Sequence, residues 1–202
     1  MKIIGITGGI ASGKTTICNF LQGKGFPVHD SDKVVKNIYS KPSTKLIKKL
    51  KIIGLSKSIK NNKIDKSIIR FEIFNNKTKK AKLEKYLHKE VKISREKFIK
   101  KHNKKKTKVI ILDIPLLFES NLSKICDFVV LVYAPKKTKI ERAIKRKGMT
   151  KKLILQILKS QLGDTYKKRK SDFVINTTKT KTHSFKMIVE LINSIVKKEC
   201  VR

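Results

Sequence analysis

Carboxylates are scarce in this sequence: Asp and Glu number 15 among 202 residues, against 51 Lys and Arg, for a formal charge of +36. Arginine is scarce too, limited to Arg70, Arg95, Arg142, Arg146, Arg169 and Arg202, so the excess is lysine. Planar, bidentate phosphate recognition favours arginine, and the lysines are spread over every segment. A dedicated nucleic-acid surface is therefore not indicated, and abundant Ile and Asn fit a drift toward A/T-rich codons. The charge still creates a positive field that attracts polyanionic substrates and binds RNA loosely at low salt. Cysteine is confined to Cys18, Cys126 and Cys200, an odd number without metal-ligand spacing. That excludes a disulfide framework and fits a reducing cytoplasm. No apolar run approaches the roughly 18–20 residues of a membrane helix. The sequence as read enters its first strand at once, so no signal peptide is expected. A cytoplasmic protein without a membrane partner is expected.

The richest stretch lies at the start. Lys2–Thr7 is short, β-branched and apolar, as a strand buried in a parallel sheet should be. Gly8-Gly9-Ile10-Ala11-Ser12-Gly13-Lys14-Thr15 then fits G-x-x-x-x-G-K-[ST], and a helix begins at Lys14 with Ile17, Phe20 and Leu21 on one face. Glycines let backbone amides approach an anion closely. Successive N–H groups make a concave nest, and the helix points its positive end at the same spot. Lys14 can reach β- and γ-phosphates, and the Thr15 hydroxyl can hold magnesium. The alternative is a plain glycine-rich turn, which strand before and helix after make a poorer account.

The length and 39% hydrophobic content suit one substantial core with inserted lobes. Phe26–Asp30 reads as a second strand, ending in Asp30-Ser31-Asp32, where open α/β sheets place ligands. One acid should cap the helix Lys33–Tyr39, and the other should face the phosphate loop as a base or magnesium contact. His29 reads as a packing residue. Residues 37–104 read as a helical insertion without strands: a helix around Leu46, Ile47 and Leu50, another opening at Ile64-Asp65-Lys66, and a long helix or pair over Thr78–His102. A kinase places its acceptor-binding domain there. The expected organisation is thus a core of residues 1–36 and 105–202, with 37–104 inserted.

Val109–Asp113 is a buried strand ending in a carboxylate, in the manner of a Walker B element, or of an Asp capping a turn. Phe128–Val132 is the fourth strand. Lys136–Lys147 reads as a helix with Arg142 and Arg146 on one face. Gly148 stops it and Thr150 caps Lys151–Leu162. Such a charged hairpin, about residues 136–165, suits a phosphate-closing lid, or is a solvated basic face. Phe173–Asn176 is the fifth strand and His183–Glu199 the closing helix. Five parallel-type strands alternating with helices give a doubly wound α/β core.

With GITGGIASGKTT, HDSDKVV, NKIDKSIIRFEIF, LDIPLLFE, ERAIKR and SDFVINT in order over nearly the whole chain, the sequence resembles the dephospho-CoA kinase family of P-loop kinases. Departures are Asn62 and Lys66 where the family has Gly and Arg, Lys89 where Pro follows the histidine, Lys147 where an acid is common, and Ala11 where a third glycine is usual. Ala11 is expected to be tolerated. The Leu87-His88-Lys89 turn is expected to be altered.

The resemblance implies transfer of the ATP γ-phosphate to the 3′-hydroxyl of dephospho-CoA, with Mg²⁺. Gly9, Ile10, Ala11, Ser12, Gly13, Lys14, Thr15 and Thr16 would cradle phosphates, with Asn176 at the adenine. Asp32 would take the hydroxyl proton, and Lys14, Arg142 and Arg146 would stabilise the transferring group. Asp32, Asp65, His88, Pro115, Leu116 and Glu119 would contact the acceptor, and Thr15 and Asp113 the metal. The implied partner is a small molecule and no specific nucleic acid, with the chain a monomer or weak homo-oligomer. Two alternatives stay open: another small-molecule P-loop kinase, for a nucleoside monophosphate or sugar acid, or a basic RNA-binding protein. An insert of about 65 residues favours a large acceptor over the former.

Overall fold

A computed structural model of the chain describes residues 1–197. Glu199, Cys200 and Arg202 lie outside the described residues. Strand β1 (Lys2–Thr7) leads to α1 (Lys14–Gly23), β2 (Val28–Asp30), α2 (Ser31–Ser40) and α3 (Thr44–Ile53). Then come β3 (Ile59–Lys60), β4 (Lys63–Ile64), α4 (Lys66–Phe74), α5 (Lys77–Lys104), β5 (Val109–Asp113) and β6 (Phe128–Tyr133). Helices α6 (Lys136–Ile144), α7 (Lys151–Ser160) and α8 (Asp164–Lys170), strand β7 (Phe173–Asn176) and α9 (Lys181–Lys197) complete the order. By contacts the chain forms two compact units, Asp30–Lys101 and the segments on either side of it.

The flanking segments build a five-stranded sheet of order β2-β5-β1-β6-β7. Ile4 of β1 pairs with Ile111 of β5 and Phe128 of β6, all parallel. Every residue of β5 is buried, as a strand covered on both faces requires. Gly5 has no side chain because a Cβ there would lie 2.6 Å from Cys126 Sγ and 2.7 Å from Leu117 Cδ1. Ile4, Ile6, Ile17, Leu21, Ile111, Val130, Ile188 and Ile192 share one core cluster, at about 2 kcal/mol for each fully buried aliphatic side chain. An exposed pair such as Lys186–Glu190, at 3.9 Å, contributes only a few tenths (~0.3 kcal/mol). The order makes β1 central, so the loop after it opens at the carboxyl edge where the crossovers diverge. This is the doubly wound α/β core the strand pattern predicts. His29 and Cys18 are buried in it.

The Asp30–Lys101 unit has its own core of Leu46, Leu50, Ile53, Leu55, Ile69, Leu83 and Tyr86. It is not wholly helical. Strands β3 and β4 pair antiparallel through Ile59–Ile64 and Lys60–Lys63. The turn residues Asn61 and Asn62 stand at φ 46° and 58°. Two successive left-handed residues suit a tight hairpin, and Asn adopts that conformation readily; the Asn-Asn pair between Ile-Lys and Lys-Ile was the overlooked signal. Helix α5 runs unbroken through Leu87-His88-Lys89, since Lys89, unlike proline, supplies the N–H the helix needs. In the other unit, α6 stops at Ile144, so Arg146 lies in the following turn rather than on the helix face expected for it. Helix α8, absent from the sequence reading, follows α7.

Candidate active site around the phosphate loop

The loop between β1 and α1 has a specific backbone. Gly13, the N-cap of α1, has φ 97°, and Ala11 has φ 55°. Left-handed residues in such a turn aim successive N–H groups inward. Gly8 admits no side chain: a Cβ would lie 2.5 Å from both Ser12 Oγ and the Val132 carbonyl. Ala11 is less neutral than its size suggests. A left-handed alanine costs about 1 kcal/mol, offset here because the methyl group is buried with Ala143 and Ile154. Ser12 N–H donates to the Gly9 carbonyl at 3.2 Å, closing the turn.

Lys14 contacts Asp113 directly, and both side chains are buried. Parallel pairing makes the contact, because Asp113 ends β5 opposite Ile6 of β1. Thr15 and Thr16 are exposed on the first turn of α1. Thr7 Oγ1 donates to the Pro115 carbonyl at 3.0 Å, fixing the turn after β5 to the end of β1. Leu116 is exposed in that turn. Glu119 is bound within the protein: its Oε1 lies 2.8 Å from Lys167 Nζ and accepts the Leu162 N–H at 3.0 Å. Burial raises its carboxyl, but the Lys167 and backbone hydrogen bonds outweigh that and hold it below the usual range. Its place among acceptor contacts therefore has a structural competitor.

Arg142 joins the loop through a residue the sequence reading missed. Its Nη1 donates to Thr177 Oγ1 at 2.9 Å and its Nη2 to the Thr177 carbonyl at 2.6 Å. The Thr177 hydroxyl donates in turn to the Ser12 carbonyl at 2.7 Å. Arg142, Arg146, Thr16, Thr177, Lys181 and Phe185 line a cavity of ≈ 270 Å³ beside the loop. Asn176, expected at the adenine, is exposed and spends its Oδ1 on Thr178 N–H and Oγ1, each at 3.0 Å. Strand alternation puts Asn176 and Thr177 on opposite sides, so the inward position is Thr177. The motif SDFVINT contained both, and only the tertiary contacts choose between them.

In the other unit, Asp30 caps α2 by accepting the Lys33 N–H at 2.9 Å, and Asp32 is exposed in the first turn. Asp65 caps α4 through Ser67 N–H at 2.9 Å and Ile68 N–H at 3.3 Å. The Ser67 hydroxyl and these amides hold its carboxyl below the usual range. His88 is exposed on α5. A cleft of ≈ 820 Å³ between α3 and α5 is lined by Lys45, Lys48, Lys49, Lys82, Lys85 and Lys89.

Among the described residues no group of three His, Cys, Asp or Glu stands ready to hold a metal. Magnesium needs no such group, since it binds through one or two protein oxygens plus substrate phosphates. The Thr15 hydroxyl and the Asp113 carboxylate are of that donor type. No described helix is long and apolar enough to cross a membrane.

A parallel sheet of this order, with a G-x-x-x-x-G-K-T loop between its central strand and the first helix, defines a P-loop kinase. The family described as CoaE, dephospho-CoA kinase, matches residues 2–182. A dephospho-CoA kinase of Fusobacterium nucleatum is 38% identical over 196 residues, covering 96% of this chain and 99% of the relative. One from Bartonella henselae is 34% identical, covering 98% and 100%. Among solved structures, a dephospho-CoA kinase from Campylobacter jejuni superposes with TM-score 0.74 at 27% identity, over 98% of this chain and 100% of that one. The chain belongs to the dephospho-CoA kinase family. A shikimate kinase of Bacteroides thetaiotaomicron, at TM-score 0.52 and 13% identity over 95% and 98% of the chains, shares the fold alone.

Proposed function

We propose that the protein transfers the γ-phosphoryl group of ATP to the 3′-hydroxyl of dephospho-CoA, the last step of coenzyme A synthesis. The observation that carries this reading is the family match over residues 2–182, together with a phosphate loop whose geometry suits an anion. The hydroxyl oxygen attacks the γ-phosphorus, the bond to the β–γ bridging oxygen breaks, and ADP leaves. Asp32 accepts the hydroxyl proton. The loop from Gly9 to Thr16 holds the phosphates through its N–H groups. Lys14 parts from Asp113 to neutralise charge developing on the γ-phosphate. Arg142 and Arg146, in a lid formed by α6 and α7, close on the same phosphates. Thr177 positions Arg142, and the cavity it lines with Phe185 takes the adenosine end of ATP. Thr15 and Asp113 would hold magnesium, whose charge would offset that of the transferring phosphates.

The acceptor lobe is the inserted unit, with Asp65 and His88 as its acceptor-binding residues; Pro115, Leu116 and Glu119 are those of the core. Its lysine-lined cleft adds to a field favouring a diphosphate-bearing substrate. The protein works in the cytoplasm as a monomer or weak homo-oligomer. The test is ATP-dependent conversion of dephospho-CoA by the purified chain, with AMP and gluconate as control acceptors. Conversion of dephospho-CoA alone supports the reading, and preference for either control overturns it.

A further inference from the structure

Two side chains from beyond the loop converge on its first residues, and the proposed chemistry uses neither. Gln161, just after α7, accepts the Ile10 N–H at Oε1 over 3.3 Å. Lys139 of α6 is only 3% exposed and lies 2.6 Å from Asp164 Oδ2. A Cβ on Gly9 would lie 3.2 Å from Gln161 Oε1 and 3.5 Å from Lys139 Nζ, so both polar ends crowd the same spot. With Lys136, Lys159 and Asp164, the two also line a cavity of ≈ 400 Å³, which leaves room for them to move.

The bonds they make are ones an anion can replace. A carboxamide oxygen on a loop N–H occupies the place of a phosphate oxygen, and a charged acceptor binds an N–H about twice as strongly. Once displaced, the carboxamide can turn its NH₂ toward the anion. Asp164 acts as counter-ion to Lys139, and a phosphate of higher charge competes for the same ammonium. A phosphate held at the N-terminus of α1 occupies the Gly13–Thr15 end of the loop. Gly9 and Ile10 form the other end, where the next phosphate along the chain belongs. Helices α6 and α7 already touch the loop through Ala143 and Ile154 against Ala11.

We infer that Lys139 and Gln161 form a terminal-phosphate sensor, exchanging Asp164 and the Ile10 N–H for oxygens of the outermost phosphate of a nucleoside triphosphate. The inference rests on the reading of the loop as a nucleotide site. It makes the two side chains specificity determinants for triphosphate over diphosphate, and it ties α6 and the α7–α8 turn to occupancy of the loop.

The test is calorimetric titration of the full chain and its Gln161→Met and Lys139→Met variants with ATP and with ADP, beside thermal melts. Each variant is expected to lose about tenfold in ATP affinity while ADP affinity stays within about twofold. Lys139→Arg should recover most of the loss. The pair Lys139→Met with Asp164→Asn, which leaves no unpaired charge, should match Lys139→Met. An ATP-to-ADP preference unchanged in both variants, or an equal loss of both nucleotides, overturns the sensor. The dephospho-CoA assay separates the two claims. A wild-type protein that discriminates ATP from ADP but leaves dephospho-CoA untouched sinks the proposed activity and not the sensor. An active enzyme whose variants keep the wild-type ratio does the reverse.

Discussion

Arg142 grips Thr177 with both terminal guanidinium nitrogens, at 2.9 Å to the hydroxyl and 2.6 Å to the carbonyl, while that hydroxyl donates to the carbonyl of Ser12 in the loop. The arginine is thus held at the cavity rim before any ligand arrives. Arg142→Ala and Arg146→Ala should each lower kcat more than they weaken ATP binding, because closure engages the phosphates chiefly in the transition state. Arg142→Lys should recover only part, since an ammonium cannot hold both Thr177 oxygens in a planar fork. Steady-state kinetics with ATP titrations decide. Wild-type behaviour in both alanine variants would reduce the pair to a basic surface.

Lys14→Ala should cut kcat by about 10²- to 10³-fold, the scale for losing one preorganised charge or donor. The same change leaves Asp113 buried without its partner, a cost of about 1–3 kcal/mol. The double change Lys14→Ala with Asp113→Asn should restore much of the melting temperature but not the rate. Near-wild-type turnover in Lys14→Ala itself would show that the lysine only satisfies Asp113.

The two acids after β2 should separate cleanly. Asp30 is the cap, so Asp30→Asn, which caps equally well, should change little, whereas Asp30→Ala should cost about 1 kcal/mol of stability. Asp32→Asn keeps size and hydrogen bonding but removes basicity, and should lower kcat by about 10²- to 10⁴-fold with little change in dephospho-CoA binding. Kinetics on both asparagine variants beside thermal melts give the answer. An inactive Asp30→Asn beside an active Asp32→Asn reverses the assignment.

The Lys167–Glu119 pair should make stability depend on pH. Glu119 has its carboxyl held down in the folded state. Its contribution is therefore complete above the unfolded glutamate value, about 4.3, and is lost as pH falls through the lower folded value. At pH 7 Glu119→Gln leaves a buried ammonium with a weaker acceptor and should lower the melting temperature by about 3–8 °C. The gap to wild type should shrink on acidification toward pH 3. A gap independent of pH would mean that packing, not charge, holds the contact.

The strands and the loop were legible because their signals are local. A β-branched run, two glycines and a lysine before a helix specify a strand, a nest and a cation within a dozen residues, and the resemblance of six ordered motifs named the family. The cap at Thr150 was legible for the same reason, its side chain accepting the Leu153 N–H three residues on. The β3–β4 hairpin was missed because two-residue strands show no alternation and its signal lay wholly in Asn61-Asn62. Arg142 and Arg146 were placed four apart on one helix, yet α6 stops at Ile144. Both still line one cavity because the chain turns back there.

The sequence alone determined the five core strands in their succession along the chain, the phosphate loop and the family, since each depends on neighbours within a few residues or on an ordered set of motifs. Tertiary structure decided what touches what. Parallel pairing of β1 with β5 brought Asp113 to Lys14 across 99 positions. Thr177 rather than Asn176 reached the loop because alternate strand positions face opposite ways. Gln161 found Ile10 across 151 positions. No spacing rule reaches that far: such contacts form where burying the sheet and its helices leaves polar groups that only distant partners can satisfy.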